Sequence, residues 1–207
     1  LAAVALVAVV FMGWRLVGGG DSGGSGGGGT GDGIPATLPG PFTALAAGYN
    51  SLCGLTPAKT IQCFGPDKSI TSSIPGGTFK QLASGNDGPR FACGLRTDDT
   101  VVCWGDGVRG QLSGRYRQIA AGPDYICGLR EDGAVACSTS DIDFKEKYSA
   151  LGSSNSSRLC AVLVDGRADC RDRNSVLQPH DGKFTALASG SLHTCGLLPN
   201  TAVLCWS

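Results

Sequence analysis

Closely spaced cysteine pairs are missing from this 207-residue sequence, and so is any surplus of charge. The ten Cys never stand two to four residues apart, and only His180 and His193 could complete a mixed site, so zinc is not an expected ligand. Seventeen basic residues balance seventeen acidic ones, which leaves no global field to draw the chain to a polyanion, and nucleic acid is not an expected partner. No Ser-His-Asp arrangement, kinase signature or metal-ligand cluster is visible, so no catalytic residue and no cofactor are expected.

The chain divides by composition. Leu1 to Trp14 is wholly apolar, and Arg15 interrupts the run before Leu16 and Val17. Residues 1–17 approach the lower limit of about 17 residues for a membrane-spanning helix. They read first as a membrane anchor, ahead of a signal-peptide remnant or an apolar helix buried against a partner. The Leu at position 1 suggests processing or an upstream segment. Residues 18–41 are dominated by Gly up to Gly33, too poor in apolar surface to pack, and read as a flexible tether. No β-like run precedes this Gly stretch, which removes a phosphate-binding reading.

Residues 42–207 carry an internal repeat. The Cys fall into the pairs Cys53/Cys63, Cys93/Cys103, Cys127/Cys137, Cys160/Cys170 and Cys195/Cys205, each with nine residues between. An aromatic followed by small and apolar residues precedes every pair, at Phe42, Phe79, Tyr116, Tyr148 and Phe184, spaced 37, 37, 32 and 36 residues apart. Five recurrences make the unit a repeat instead of a chance pairing.

The third unit shows how it should fold. With Cys127 facing Cys137 and Leu129 facing Val135, Glu131, Asp132 and Gly133 form a three-residue hairpin loop closed by a left-handed Gly. Gly166 repeats this in unit four, whereas Lys59, Asp99 and Thr201 replace the Gly elsewhere. Directly opposed residues in an antiparallel pair approach closely enough for a disulfide, so each pair is expected to be a cystine within its own hairpin. On the loop-entropy account each closure is worth about 2.5–3 kcal/mol. Regular cystines place the repeats outside reducing cytosol.

Gly54, Gly94, Gly128, Ala161 and Gly196 follow the first Cys of each unit, a small-residue column that implies close approach of another backbone layer. No helical period is visible in the repeats beyond one short turn somewhere in Phe144 to Leu151. A lone hairpin is marginal, so units must stack. The expected fold is all-β: a β-propeller or partial propeller of five Cys-clamped repeats, with an N-terminal transmembrane-like helix. A linear array is the alternative. Ring closure is expected to come from missing or partner-supplied contacts, because Pro35 and Pro39 make Ile34 to Pro41 a poor closing strand.

Ala120 to Cys137, together with Val101 to Gly105, Ser189 to Leu197 and Leu204 to Trp206, resembles repeats of the regulator of chromosome condensation superfamily. It is most similar to the Cys-rich version in the ectodomains of crinkly-type plant receptor-like kinases. The resemblance implies a propeller, usually of seven blades. The nucleotide-exchange activity of nuclear relatives is not carried over, since paired Cys argue against a nuclear compartment.

Candidate functional residues are few. Asn155-Ser156-Ser157 matches the acceptor motif for N-glycosylation. Trp104 and Trp206 repeat relative to their Cys and are candidate interface anchors, with packing as the other reading. His193 lacks a nucleophile or metal partner, and Asp141 and Asp143 lack calcium-loop spacing. The functional expectation is a non-catalytic extracellular or lumenal binding domain, anchored to a membrane through residues 1–17, with a protein, peptide or glycan ligand. The alternative is a structural accessory subunit of a larger membrane or extracellular assembly. A non-reducing peptide map is expected to join each Cys only to the other member of its pair; a peptide linking Cys63 to Cys93 would reject this arrangement.

Overall fold

The computed structural model describes residues 38–48, 50–85, 90–107, 110–154, 158–172, 175–176, 180–190 and 193–207. The apolar segment 1–17, the Gly-rich stretch that follows it and the Asn155 motif lie outside these residues. Among the described residues, no helix is long and apolar enough to cross a membrane.

Each repeat is one antiparallel sheet. Blade one holds β1 (Ala44–Ala47), β2 (Leu52–Leu55) and β3 (Ile61–Phe64). A one-turn helix, α1 (Lys68–Thr71), leads to blade two, formed by β4 (Phe79–Ser84), β5 (Phe91–Arg96) and β6 (Val101–Gly105). Blade three is β7 (Gln118–Ala121), β8 (Ile126–Leu129) and β9 (Val135–Cys137). Blade four begins with β10 (Tyr148–Leu151); the next strand, β11 (Ser153–Ser154), leaves it, and β12 (Leu159–Leu163), β13 (Ala168–Asp172) and β14 (Ser175–Val176) complete the sheet. Blade five is β15 (Ala186–Ser189), β16 (Thr194–Leu197) and β17 (Val203–Trp206), with β11 added in parallel alongside β15.

The helical turn expected within Phe144 to Leu151 is corrected: Tyr148 to Leu151 is strand β10, and the short helix is α1. Asp67 caps α1 by accepting from the Ser69 amide at 3.0 Å, and buried Ile70 ties it to blade two through a 3.1 Å bond from Trp104 Nε1 to the Ile70 carbonyl. One turn is too short to leave a periodic pattern.

The five cystines join Cys53–Cys63, Cys93–Cys103, Cys127–Cys137, Cys160–Cys170 and Cys195–Cys205, with Cα atoms 3.9 to 4.1 Å apart. In every blade the two Cys are direct cross-strand partners. The hairpin-closing residues adopt left-handed φ whether or not they are Gly: Lys59 at 63°, Asp99 at 74°, Thr201 at 67°, Gly133 at 84° and Gly166 at 95°. For a residue with a Cβ this conformation costs about 1 kcal/mol.

The turn has a second role. The carbonyls of Lys59, Asp99, Gly133 and Gly166 accept hydrogen bonds at 2.8 to 2.9 Å from the amides of Phe79, Tyr116, Tyr148 and Phe184, the leading aromatics of the following blades. Each hairpin tip is thereby tied to its successor.

The Gly column is covered by an aromatic ring of its own blade, not by the second backbone layer expected from the sequence. A Cβ on Gly54, Gly94, Gly128 or Gly196 would stand 2.2 to 2.5 Å from the ring of Phe42, Phe79, Tyr116 or Phe184. Aromatic and Leu three residues apart would normally point to opposite faces. A bulge between Phe79 and Gln81, repeated between Tyr148 and Ala150, brings them to the same one.

Every blade therefore has a small-residue face, Gly in four blades and Ala161 in blade four, and a Cys face, and the core lies between blades. Cys53 and Leu55 of blade one pack on Phe79 and Leu82 of blade two; Cys93 and Leu95 pack on Tyr116 and Ile119; Cys127 and Leu129 on Tyr148 and Leu151; Cys160 and Val162 on Phe184 and Leu187. The first strands of successive blades adjoin, β1 with β4, β4 with β7 and β7 with β10. Gln81 adds a two-bond fork across one boundary, donating from Nε2 to the Ile119 carbonyl at 2.8 Å and accepting the Ile119 amide at 2.9 Å. Gln118 does the same to Leu151, at 2.8 Å both ways. Between blades four and five, β11 supplies strand pairing instead.

Among the described residues, no core cluster joins blade five to blade one. Leu45, the blade-one counterpart of buried Leu82, Ile119 and Leu187, is 59% exposed. On the Cys face of blade five, Val203 is 63% exposed and Cys205 is also exposed, whereas Cys53, Cys93, Cys127 and Cys160 are buried. A hydrophilic reductant needs access to sulfur. Brief treatment followed by alkylation and mass mapping is expected to label Cys195 and Cys205 well ahead of the other eight; uniform labelling would contradict the exposed Cys face.

Candidate binding site

Blade four departs from its sisters at three neighbouring positions. Ala161 replaces the Gly, and Asp169 sits opposite it, where Gln62, Val102, Ala136 and Leu204 sit opposite the other small residues. After the second Cys the other units place Phe64, Trp104, Ser138 and Trp206, but unit four places Arg171. An acid and a base thus occupy mainly apolar positions of the repeat.

These residues meet. Tyr148 Oη donates to Asp169 Oδ2 at 2.6 Å, and Arg171 Nη2 donates to the same oxygen at 2.8 Å. The Arg171 guanidinium lies 5.9 Å from the centre of the Phe144 ring, which packs edge-on to Tyr148 with centroids 5.2 Å apart. Asp169 is only 1% exposed. Its Oδ1 and the Arg171 Nε are both buried without a hydrogen-bond partner. Each such orphan costs about 1–3 kcal/mol, more where charged. Burial pushes the Tyr148 phenol well above its ordinary pKa, and the hydrogen bond and negative charge of Asp169 push it further.

Asp169 and Arg171 line a cavity of about 530 Å³. Its walls come from Glu146 and Lys147 before β10 and from Val164, Asp165 and Arg167 around the β12–β13 turn. The rim charges are largely paired: Lys147 with Asp132 at 2.9 Å and Arg167 with Asp165 at 2.8 Å. The lining offers charged and polar groups for recognition. Among the described residues, no group of three His, Cys, Asp or Glu side chains is placed to hold a metal.

The residues singled out from sequence fall elsewhere. Trp104 is buried and anchors α1, so it packs and presents no exposed rim. Trp206 is half-buried, stacked on His180 with ring centroids 4.2 Å apart and tilted against Phe184 at 5.3 Å. His193 is exposed beside Gly190. Asp141 and Asp143 are exposed on either side of buried Ile142 in a connecting segment. Asp169 and Arg171 went unread in the sequence; their signal was the break in the repeat at positions that neighbour Cys170.

The blade order, clamped hairpins and inter-blade cores define an all-β, propeller-like array of five disulfide-clamped repeats. Residues 79–111, covering blade two and the segment after it, match the family model of the Regulator of chromosome condensation (RCC1) repeat. Among solved structures, the chain is similar to the CRINKLY WD40 ectodomain of the Arabidopsis thaliana receptor kinase ACR4, at 21% identity and a TM-score of 0.64 over 80% of this chain and 68% of that one. It is similar to the ectodomain of the Physcomitrella patens receptor kinase CR4, at 22% identity and a TM-score of 0.67, covering 81% and 52% of the two chains. Prp20p from Saccharomyces cerevisiae, described with its binding to Gsp1p and histones, matches at 14% identity and a TM-score of 0.62, with 80% and 57% covered. The chain thus spans about half to two thirds of these chains' lengths, and the likeness is one of fold.

The raised pKa of Tyr148 has a pH consequence. Above the ordinary phenol pKa of about 10, the unfolded chain loses this proton while the folded chain keeps it. The stabilisation is fully present below that pH and is lost as pH rises through the folded value. An ultraviolet titration of the folded protein is expected to show a tyrosine that stays un-ionised beyond the ordinary range, and Tyr148→Phe should abolish that late step. Unchanged late titration in the variant would contradict the assignment.

Proposed function

We propose that residues 42–207 are a non-catalytic, extracytosolic binding domain, held to a membrane by residues 1–17 across the tether 18–41, and that they present a propeller surface to a protein, peptide or glycan. The observation that carries this reading is the blade-four cavity, where a repeat otherwise built for apolar packing places Asp169 and Arg171 at polar walls. The five cystines support an oxidising compartment. The likeness to two receptor-kinase ectodomains supports a binding role, and Asn155 is then a glycosylation acceptor.

A second reading, a structural subunit of a larger membrane or extracellular assembly, draws on the uncovered apolar faces at Leu45 and Val203. Half-buried Trp206 is then a contact beside blade five. In mild detergent, the disulfide-intact full chain is expected to run as a free species in gel filtration and to capture a saturable, exchangeable partner from cell-surface extract. Comigration with a stoichiometric complex would favour the structural reading, and failure to capture a partner from any such extract would sink the binding one.

A further inference from the structure

We propose that copies of this chain join head to tail, the Cys face of blade five on one copy seating on the small-residue face of blade one on the next. The inference goes beyond the binding reading and does not depend on it.

The four boundaries inside the chain show what each of these faces takes. At every one, a Cys and a Leu or Val pack on an aromatic and a Leu or Ile of the following blade. The ends of the array hold the two halves of a fifth such boundary. Blade five offers Cys195 and Cys205, with Leu197 opposite Val203 in the register that Leu129 and Val135 hold in blade three. Blade one offers Phe42, whose ring covers Gly54, and Leu45 directly opposite that Gly, as Leu82 stands opposite Gly94.

The polar halves are present too. Thr201 has the left-handed φ, 67°, shared by the four turn residues whose carbonyls accept an aromatic amide from the next blade. Among the described residues its own carbonyl accepts nothing, and the amide of Phe42, the counterpart of the four donors, finds no acceptor. A second copy brings this donor to that acceptor.

Stacked repeats normally end in a polar outer face. Here the end blades keep the apolar residues of an inner boundary. On blade five, Ala186, Ala188, Leu197 and Val203 share the face of the cystine, and none is charged. On blade one, Gln62 is the one polar side chain in register with Gly54 and Leu45. Seventeen basic and seventeen acidic residues leave no net charge to hold copies apart.

Each copy carries both halves, so it presents the complement of what its neighbour leaves open. The two faces lie at opposite ends of the array, which makes the contact heterologous. Ten blades exceed the roughly four to eight of a flat propeller, so joined copies rise out of the plane as an open helix. One blade boundary is a small contact, and association is expected in the micromolar range, with the chain running free at the dilution of gel filtration.

Leu45→Asp and Val203→Asp test this, each at a side chain already 59% or 63% exposed. The disulfide-intact full chain in mild detergent would be followed by sedimentation velocity from about 1 to 300 μM. The unaltered chain is expected to grow with concentration past a dimer. Each variant alone, its fold checked by its cystine map, retains one working face and should associate at least tenfold more weakly. Mixed together, the two should form a one-to-one dimer that grows no further, because one supplies blade five and the other blade one. An unaltered chain that stays monomeric, variants that associate as well as it does, or a mixture without the dimer would each overturn the proposal. The second of these outcomes would assign association to residues 1–17. If the chain stays monomeric while surface extract still yields a saturable partner, this inference falls and the binding reading stands.

Discussion

An aromatic ring lying on a residue without a side chain sets the spacing of the array. The ring of Phe79, Tyr116 or Phe184 occupies the space that a Cβ on Gly94, Gly128 or Gly196 would need, so the Gly face stays shallow enough for the preceding blade's cystine. The cystine fixes the hairpin, the left-handed turn residue points a carbonyl at the next aromatic amide, and the ring then packs where the next core forms. Covalent, polar and apolar contacts converge on one short segment of each repeat. A compact unit of this kind stacks instead of standing alone.

Much of this was legible in sequence because it depends on residue type at fixed spacing. The Cys pairs, the aromatics and the small-residue column mark the hairpin, its first strand and its packing face. The identity of the covering layer was not legible, because it depends on a bulge that brings residues three apart to one face. Lys59 and Asp99 stand at the turn position that Gly holds in units three and four. Their left-handed φ is shared with Gly133 and Gly166, and so is the carbonyl bond to the next blade, which offers a compensation that spacing alone does not reveal. Gln81 and Gln118 carry no mark in the sequence, since a fork to another blade has no local signature.

Blade four shows what a repeat does when one unit is released from the common packing rule. Ala161 takes the small position, Tyr148 turns its hydroxyl to Asp169, and Arg171 lies over Phe144 where Trp104 packs in blade two. Buried charge of this kind is seldom the most stabilising choice, and an apolar set of similar volume is often at least as stable. The same blade also sends β11 to its neighbour and gains β14 at its outer edge. The candidate site thus sits in the most altered repeat, and a period-based reading passes over it because such a reading weights agreement between units.

The boundaries between blades are unequal in their polar ties. All four carry the turn-to-aromatic bond, but a glutamine fork is added between blades two and three and between three and four, and parallel strand pairing between four and five. The first boundary has Ala44 at the fork position and gains neither. That boundary is held instead by α1, which packs on both β3 and β6 and puts Ile70 beside Trp104 in the shared core. Each joint thus closes by its own device on a common plan, so a change at one fork should loosen one boundary and leave its neighbours seated.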